Sequence, residues 1–153
     1  MKMSAEDRLD IFDLFARYAW AYDCGDAEAY AAVFTPDGVL ADQKDLRAVG
    51  RAAIRDAIKV YFGHRGNNVW QHHNNQLRMQ GDSRSCRVWS YWTVMEHRHS
   101  DGGYGVGSLG YYLSDCVKEH GSWYIKERTF YMDMPPRVPW VADSKPSAGS
   151  PSA

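Results

Sequence analysis

A chain of 153 residues with 44% hydrophobic and 14% aromatic content is long and apolar enough to fold as one domain with a real core. Its 18 Lys and Arg residues nearly cancel its 19 Asp and Glu residues, which argues against a surface that attracts nucleic acid. No stretch approaches the roughly 18 consecutive apolar residues of a membrane helix, and the charged N-terminal residues do not match a signal peptide. We therefore expect neither a nucleic-acid nor a membrane partner.

The N-terminal residues predict two helices. Ser4 resembles an N-cap, and apolar residues then recur at steps of three and four from Ile11 to Tyr22. Gly25-Asp26 is expected to break the helix and start a shorter one. That second helix is predicted to run through Phe34 and to end at the following Thr-Pro-Asp-Gly turn.

The middle and end of the chain predict a further helix and a sheet. After a strand around residues 39–41, a helix is expected from Arg51 to Phe62, with Gly63 stopping it. Segments rich in β-branched and aromatic residues then alternate with hairpin-type turns. The predicted antiparallel strands are Val69 to Gln80, Ser85 to His99, Tyr104 to Glu119 and Trp123 to Met132.

Helices followed by long strands predict an α+β fold, in which the helices cover one face of a curved sheet and leave a cavity between the layers. We expect one domain over residues 1–134. Residues 135–153 are rich in Pro, Ser and Ala and are expected to form a flexible tail, with Trp140 either plugging the mouth of the cavity or packing as part of a strap.

The cysteine pattern bears on the compartment. Cys24, Cys86 and Cys116 are odd in number, lie far apart and lack C-x-x-C spacing. Such a pattern favours reduced thiols over a disulfide or zinc framework. The expected location is the cytoplasm.

One candidate functional residue is Asp23, at the predicted end of the first helix. A carboxylate there faces the negative end of the helix dipole and does not stabilise the helix. The position can indicate a functional role, and the alternative is a solvated residue in an Asp-Cys-Gly-Asp turn.

A polar run, residues 71–76, interrupts a strand that is otherwise apolar. Such side chains are rarely left unpaired in a dry core, so they predict the wall of a wet pocket. Strand alternation places His72 and His73 on opposite faces, and parity with Leu77 and Met79 favours His73. A bulge in the polar run would instead put His72 inside, on the side of Trp70.

A second candidate histidine is His97, at the end of an aromatic strand. Alternation groups it with Trp89, Tyr91 and Thr93 on one face, from which it could look into an aromatic pocket. The alternative is a surface histidine close to a turn.

The chain resembles the SnoaL-like group of the nuclear-transport-factor-two-like superfamily, which includes scytalone dehydratase and hexachlorocyclohexane dehydrochlorinase. The residues that carry the resemblance are the Tyr22-Asp23 pair and Gln71-His72, five residues ahead of Leu77-Arg78-Met79. Tyr18 matches a tyrosine of the related bile-acid dehydratase, and His97 lies at the spacing of the second histidine of scytalone dehydratase. That enzyme's second pocket tyrosine would fall near Asp42, so scytalone is not the expected substrate.

The resemblance implies a cone-shaped barrel, its curved and mostly antiparallel sheet wrapped around a pocket, with three N-terminal helices on one face. It also implies a cofactor-independent lyase that dehydrates, or eliminates a β-substituent from, a small hydrophobic or aromatic molecule. The implied oligomer is a homotrimer, with a dimer as the alternative. The expected catalytic residues are Asp23, His72, His97, Tyr22 and Tyr18, and the expected substrate contacts are Trp70, Trp92, Tyr112 and Asn74.

Three other functions remain open on the sequence. An isomerase would begin with the same proton abstraction and return the proton elsewhere on the substrate. A non-catalytic subunit, such as the small subunit of ring-hydroxylating dioxygenases, would use the same fold for assembly. A metal site built from His72, His97 and a carboxylate is the third possibility, although the spacing matches no familiar ligand motif.

Overall fold

The computed structural model describes residues 2–142. These residues form four helices and one six-stranded sheet. The helices are α1 (Ala5–Asp23), α2 (Ala27–Ala32), α3 (Arg51–Arg65) and α4 (Pro139–Ala142). The strands are β1 (Phe34–Asp42), β2 (Arg47–Val49), β3 (Val69–Gly81), β4 (Ser85–His97), β5 (Tyr104–Glu119) and β6 (Ser122–Tyr131).

The sheet has the order β2-β1-β6-β5-β4-β3. The β1–β6 pair is parallel and every other pair is antiparallel, so the predicted α+β fold with a mostly antiparallel sheet is confirmed. The sheet is open, with β2 and β3 at its edges. Helix α1 packs against β3 and β6, and α3 packs against β1, so the core lies between the helices and one face of a cone-shaped sheet.

Helix α1 begins where its sequence predicts. The hydroxyl of Ser4 accepts from the Asp7 backbone N–H at 3.0 Å, and the Asp7 carboxylate accepts from the Ser4 N–H at 3.0 Å. This reciprocal cap satisfies backbone donors that the first helical turn leaves free. Gly25, at φ +72°, reverses the chain, and the Asp26 carboxylate then caps α2.

Two helix ends differ from the prediction. Helix α2 ends at Ala32, and Phe34 already belongs to β1, because it pairs with Ile125 of β6 as soon as the helix stops. Helix α3 continues past Gly63 to Arg65 and ends at Gly66, whose positive φ breaks it. Glycine lowers helix stability without forbidding the conformation, so the extra turn forms.

A bulge in β3 sets the orientation of the polar run. The register with β4 shifts between Asn75 and Arg78, and Gln76 has φ +54°. The extra residue resets the alternation, so His72 lies on the same face as Leu77. Parity counted through an unbroken strand therefore fails here.

The C-terminal described residues cross the outer face of the sheet. The ring of Trp140 lies 5.8 Å from that of Trp89, in edge-to-face geometry, and the Arg78 guanidinium lies 5.8 Å from it. This is a packing strap, so the idea that Trp140 plugs the cavity is wrong for the described structure. Of the predicted tail, residues 143–153 lie outside the described residues. No helix in residues 2–142 is both long and apolar enough to cross a membrane.

Candidate functional site

A cavity of about 190 Å³ lies between the helices and the inner face of the sheet. Its walls are dominated by aromatic and aliphatic side chains, with a few phenolic hydroxyls and one imidazole among them. The lining residues are Tyr18, Tyr22, Tyr30, Leu40, Ile58, Tyr61, Trp70, His72, Trp92, Val94, Ser108, Tyr112, Phe130 and Met132. Such a lining suits a small, largely apolar molecule that carries a few polar groups.

His72 lines one wall of this cavity, and Asp23, which is not among the lining residues, is bonded to it. Oδ1 of Asp23 lies 2.6 Å from Nδ1 of His72, and Oδ2 accepts from the His72 backbone N–H at 2.8 Å. The two side chains are 18% and 7% exposed. A carboxylate on Nδ1 fixes the imidazole ring and its tautomer, and Nε2 remains as the nitrogen that can exchange a proton with a bound molecule.

The two residues come from distant parts of the chain. Asp23 is the last residue of α1, and His72 lies on the edge strand β3, which packs against that helix. His73, one residue further along, is exposed on the opposite face of the strand. The structure thus brings Asp23 to His72, as the resemblance implied, and leaves His73 outside the cavity.

Five tyrosines line the cavity, namely Tyr18, Tyr22, Tyr30, Tyr61 and Tyr112. The Tyr30 hydroxyl donates to the Tyr18 hydroxyl at 2.7 Å, and the Tyr22 ring lies 4.2 Å from the imidazole of His72. Burial raises the pKa of Tyr22, and it raises the pKa values of Tyr30 and Tyr112 well above their ordinary value. Hydrogen bonding to Tyr18 adds to the last two shifts. Tyr22, Tyr30 and Tyr112 are therefore neutral hydrogen-bond donors at any physiological pH.

Sequence reasoning missed Arg128, a fully buried cation behind the tyrosines. Its guanidinium carbon lies 4.1, 4.1 and 4.4 Å from the ring centroids of Phe15, Tyr18 and Tyr112. Nε donates to the Ser114 hydroxyl at 2.9 Å, while Nη1 and Nη2 are buried without a hydrogen-bond partner among residues 2–142. The positive charge therefore acts on the aromatic cluster with little screening.

The reason for missing Arg128 is a second irregularity, in β6. Asp115 pairs with Glu127 and Cys116 with Ile125, so Lys126 is an extra residue in the strand. Simple alternation from Trp123 and Ile125 would point Arg128 to solvent. A buried arginine at this position has no signal in a single sequence.

Trp70, Trp92 and Tyr112 line the cavity, and their role as substrate contacts stays a prediction. The indole N–H of Trp70 donates to the Glu96 carboxylate at 2.9 Å, which fixes that wall across the β3–β4 pair. The expectation that Asn74 contacts the substrate needs correction, because Asn74 does not line the cavity. Its side chain points inward, and its amide donates to the Phe15 carbonyl at 3.2 Å.

The expectation that His97 is a catalytic residue of the cavity also needs correction, because His97 does not line it. It lies on the outer face of the sheet, with its ring stacked 4.2 Å from that of Tyr104. In β4 the inward residues are Trp92, Val94 and then Glu96, so the face grouped with His97 points away from the cavity. His72 and His97 thus lie on opposite faces of the sheet and cannot bind one metal ion together. Residues 2–142 contain no group of three or more His, Cys, Asp or Glu side chains that could hold a metal ion.

Several solved structures share this fold. A protein of unknown function with a cystatin-like fold from Nostoc punctiforme is 25% identical, with a TM-score of 0.74, covering 92% of this chain and 99% of its own. A structure from Catenulispora acidiphila in complex with S-DNPA is also 25% identical, with a TM-score of 0.75 and coverages of 84% and 94%. A candidate scytalone dehydratase from Novosphingobium aromaticivorans, 21% identical with a TM-score of 0.71 and coverages of 84% and 85%, shares the fold.

No curated protein matches the chain significantly. The family model of the SnoaL-like domain matches residues 3–129, which include all six strands except the last two residues of β6. This span also contains Asp23, His72 and every tyrosine of the cavity named above. The chain belongs to the SnoaL-like domain family.

Proposed function

We propose that this protein is a cofactor-independent lyase that removes water or another β-substituent from a small hydrophobic or aromatic molecule. The observation that carries the proposal is the hydrogen-bonded Asp23–His72 pair at the wall of an aromatic cavity. Imidazole can take and release a proton near neutral pH, and a carboxylate on its other nitrogen stabilises the imidazolium that forms.

In the proposed reaction, Nε2 of His72 removes a proton from a carbon next to an electron-withdrawing group. The electron pair of that C–H bond becomes the new C=C bond as the bond to the β-substituent breaks. For a hydroxyl leaving group the imidazolium returns the proton, so water departs and His72 is neutral again. A halide instead departs as the anion, and the imidazolium then gives its proton to water. Asp23 takes no proton from the substrate and holds the ring in place.

Negative charge grows on the electron-withdrawing group as the proton leaves. The Tyr18 hydroxyl is a fitting donor to that oxygen, because it already accepts a hydrogen bond from Tyr30 and can direct its own hydrogen elsewhere. Arg128, 4.1 Å from the Tyr18 ring, adds a fixed positive charge that favours this build-up. Tyr22, packed on His72, is the second candidate donor.

Cavity size and lining support the substrate class. A space of about 190 Å³ walled by aromatic rings suits a compact ring compound better than a chain or a highly charged metabolite. The relatives point the same way: a 25% identical neighbour binds S-DNPA, and another neighbour is a candidate scytalone dehydratase.

An isomerase is the second candidate, because it would use the same proton abstraction and return the proton to another carbon. A non-catalytic assembly subunit is the third. The bonded Asp23–His72 pair favours an enzyme over a subunit, since a purely structural protein has no need of an imidazole that lines a cavity and is bonded to a carboxylate behind it.

The experiment is a turnover screen on β-hydroxy and β-halo carbonyl and aryl compounds, with product analysis to separate elimination from isomerisation. Asp23→Asn and His72→Ala should lose at least about a hundredfold in kcat/KM. His73→Ala is the matched control, because it removes a neighbouring exposed imidazole and should keep parent activity. Undiminished turnover in either dyad variant would refute the mechanism.

Two further properties are proposed with the function. Exposed apolar side chains on the outer face of the sheet support a homo-oligomer, with a trimer favoured by resemblance and a dimer as the alternative. The three cysteines are free thiols, which is in keeping with the proposed cytoplasmic location.

A further inference from the structure

The end of α1 concentrates negative charge. The carboxylate of Asp23 sits at the C-terminal end of a 19-residue helix, where the helix dipole is negative, and the last turn of α1 contains no basic residue. Two of the nearest carbonyl groups are already used locally, since Trp20 accepts from the Cys24 N–H and Ala21 from the Asp26 N–H. A positive charge from outside α1 would therefore stabilise this end of the helix.

Arg65 reaches this end from the last residue of α3. Its Nη1 donates to the Asp23 carbonyl oxygen at 2.8 Å and lies 3.4 Å from the Tyr22 carbonyl oxygen. The guanidinium carbon is 5.7 Å from the Phe62 ring, which limits its freedom. A cation at this place offsets the negative helix end and satisfies a carbonyl group that the helix leaves without an intrahelical donor.

The turn after α1 is shaped to admit the guanidinium. Gly25 has φ +72°, and a Cβ built on it would lie 3.3 Å from Nη2 of Arg65. A side chain at this position would strain the backbone, and it would also crowd the guanidinium of Arg65. The glycine turn and the reach of Arg65 thus belong to one arrangement.

We propose that Arg65 is the positioning residue of the Asp23–His72 pair, which is an inference that rests on the proposed function of that pair. Asp23 is held at two points: Arg65 fixes its backbone carbonyl, and His72 engages both carboxylate oxygens. Three ionisable side chains interact with Asp23: Arg65 from α3, His72 from β3 and Tyr22 from α1 itself; the thiol of Cys24 follows it in the chain. Arg65 does not line the cavity, so it acts through Asp23 and not on the substrate.

A proton NMR experiment tests this without a known substrate. The Nδ1–H proton of His72, bonded to a carboxylate at 2.6 Å, should give a far-downfield resonance, assigned by its absence from His72→Ala. In Arg65→Met the end of α1 loosens, and the resonance should disappear through exchange with water. In Arg65→Lys, which keeps the charge and a donor, the resonance should persist with a changed shift.

Arg55→Met is the matched control, because Arg55 lies on the same helix but pairs with Glu28 and Asp56. Its spectrum should keep the His72 resonance. An unchanged resonance in Arg65→Met, with a folded circular dichroism spectrum, overturns the proposal. If Arg65→Met does not fold, the milder Arg65→Gln decides by the same readout.

Kinetics separates this inference from the function on which it rests. With a substrate from the turnover screen, Arg65→Met should lower kcat about tenfold or more with little change in KM, because misplaced catalytic groups slow the chemical step. Parent-like kcat would refute the positioning role and leave the lyase intact. Absence of any turnover in the parent protein would refute the lyase, while the NMR result would still decide on Arg65.

Discussion

The carboxylate of Asp23 contacts His72 at two points, with one oxygen 2.6 Å from the ring Nδ1 and the other 2.8 Å from the backbone nitrogen. The contact at Nδ1 restrains the imidazole ring, and the contact at the backbone nitrogen restrains the strand that carries it. The second contact joins the end of α1 to the edge strand β3, which packs against that helix. The geometry of the proposed catalytic pair and the packing of α1 on β3 are therefore coupled at this point.

Removal of the Tyr18 hydroxyl should slow the chemical step. In Tyr18→Phe the ring still packs on Arg128, but the proposed donor to the developing oxyanion is gone. We expect kcat to fall about a hundredfold with a small change in KM. Steady-state kinetics on a substrate from the turnover screen provides the measurement.

Tyr30→Phe is the control for that variant, because it removes only the hydroxyl that donates to Tyr18. It should cost clearly less than Tyr18→Phe. Equal losses would mean that the phenol pair acts as one unit, and unaltered kcat in Tyr18→Phe would exclude the tyrosine as a donor.

Arg128 should be more important for activity than for stability. In Arg128→Met the buried, unpartnered Nη1 and Nη2 disappear and an apolar side chain of comparable length fills the space. Because replacing a poorly compensated buried charge by an apolar side chain is often neutral or stabilising, the free energy of unfolding should stay within about 1 kcal/mol or rise. kcat should fall. Urea unfolding measures the expected stability of Arg128→Met, and steady-state kinetics measures its kcat. A large loss of stability would show that the cation mainly holds the aromatic cluster together.

The bulge at Gln76 should determine the face of His72. Deletion of Gln76 would restore an unbroken alternation and turn either His72 or the apolar end of β3 away from the core. We expect loss of activity and a lower Tm. Gln76→Gly keeps the bulge and relieves the positive φ of a non-glycine residue, so it should retain activity with equal or higher Tm. A fully active deletion variant would contradict this account of the strand.

Stability should fall in acid because of Asp7. Its carboxylate accepts from Lys118 Nζ at 2.8 Å and from Trp123 Nε1 at 3.1 Å, and the Lys118 bond, with that of Ser4, holds the pKa of Asp7 far below its usual range. The folded state thus keeps Asp7 ionised where the unfolded chain takes up a proton. This contribution is complete above the ordinary carboxyl pKa of about 3.9 and is lost as the pH falls below it.

Thermal unfolding across that pH range is the measurement. Asp7→Asn should have a Tm several degrees lower at neutral pH and a weaker dependence on acid. Asp13→Asn, which removes an exposed carboxylate paired with Arg17 on the same helix, should retain the parent profile. A parent-like acid profile in Asp7→Asn would remove Asp7 as the source.

Oligomer formation should depend on the outer face of the sheet. Tyr91, Met95, Val106 and Leu109 are exposed there, on neighbouring positions of β4 and β5. A charge placed among them, as in Leu109→Lys, should dissociate the oligomer, because a buried unpaired charge opposes association. Light scattering on the parent and the variant decides, and a monomeric parent protein would refute the oligomer.

The sequence alone was sufficient for most of the fold. Helical periodicity, the Ser4 cap and the hairpin turns are local features, and the strand bounds they predict lie within about two residues of those of β3 to β6. The unfavourable place of Asp23 at a helix end was likewise readable, because a helix dipole depends only on local structure.

Side-chain orientation needed the tertiary structure. The extra residues at Gln76 and Lys126 turn His72 and Arg128 inward, and such bulges depend on how the neighbouring strands pair. The added turn that brings Arg65 to Asp23 passes through Gly63, where local propensity predicts a stop. One extra residue in a strand moves every following side chain to the opposite face of the sheet. A single sequence therefore predicts which residues form a strand, while the pairing of the strands decides which of them face the cavity.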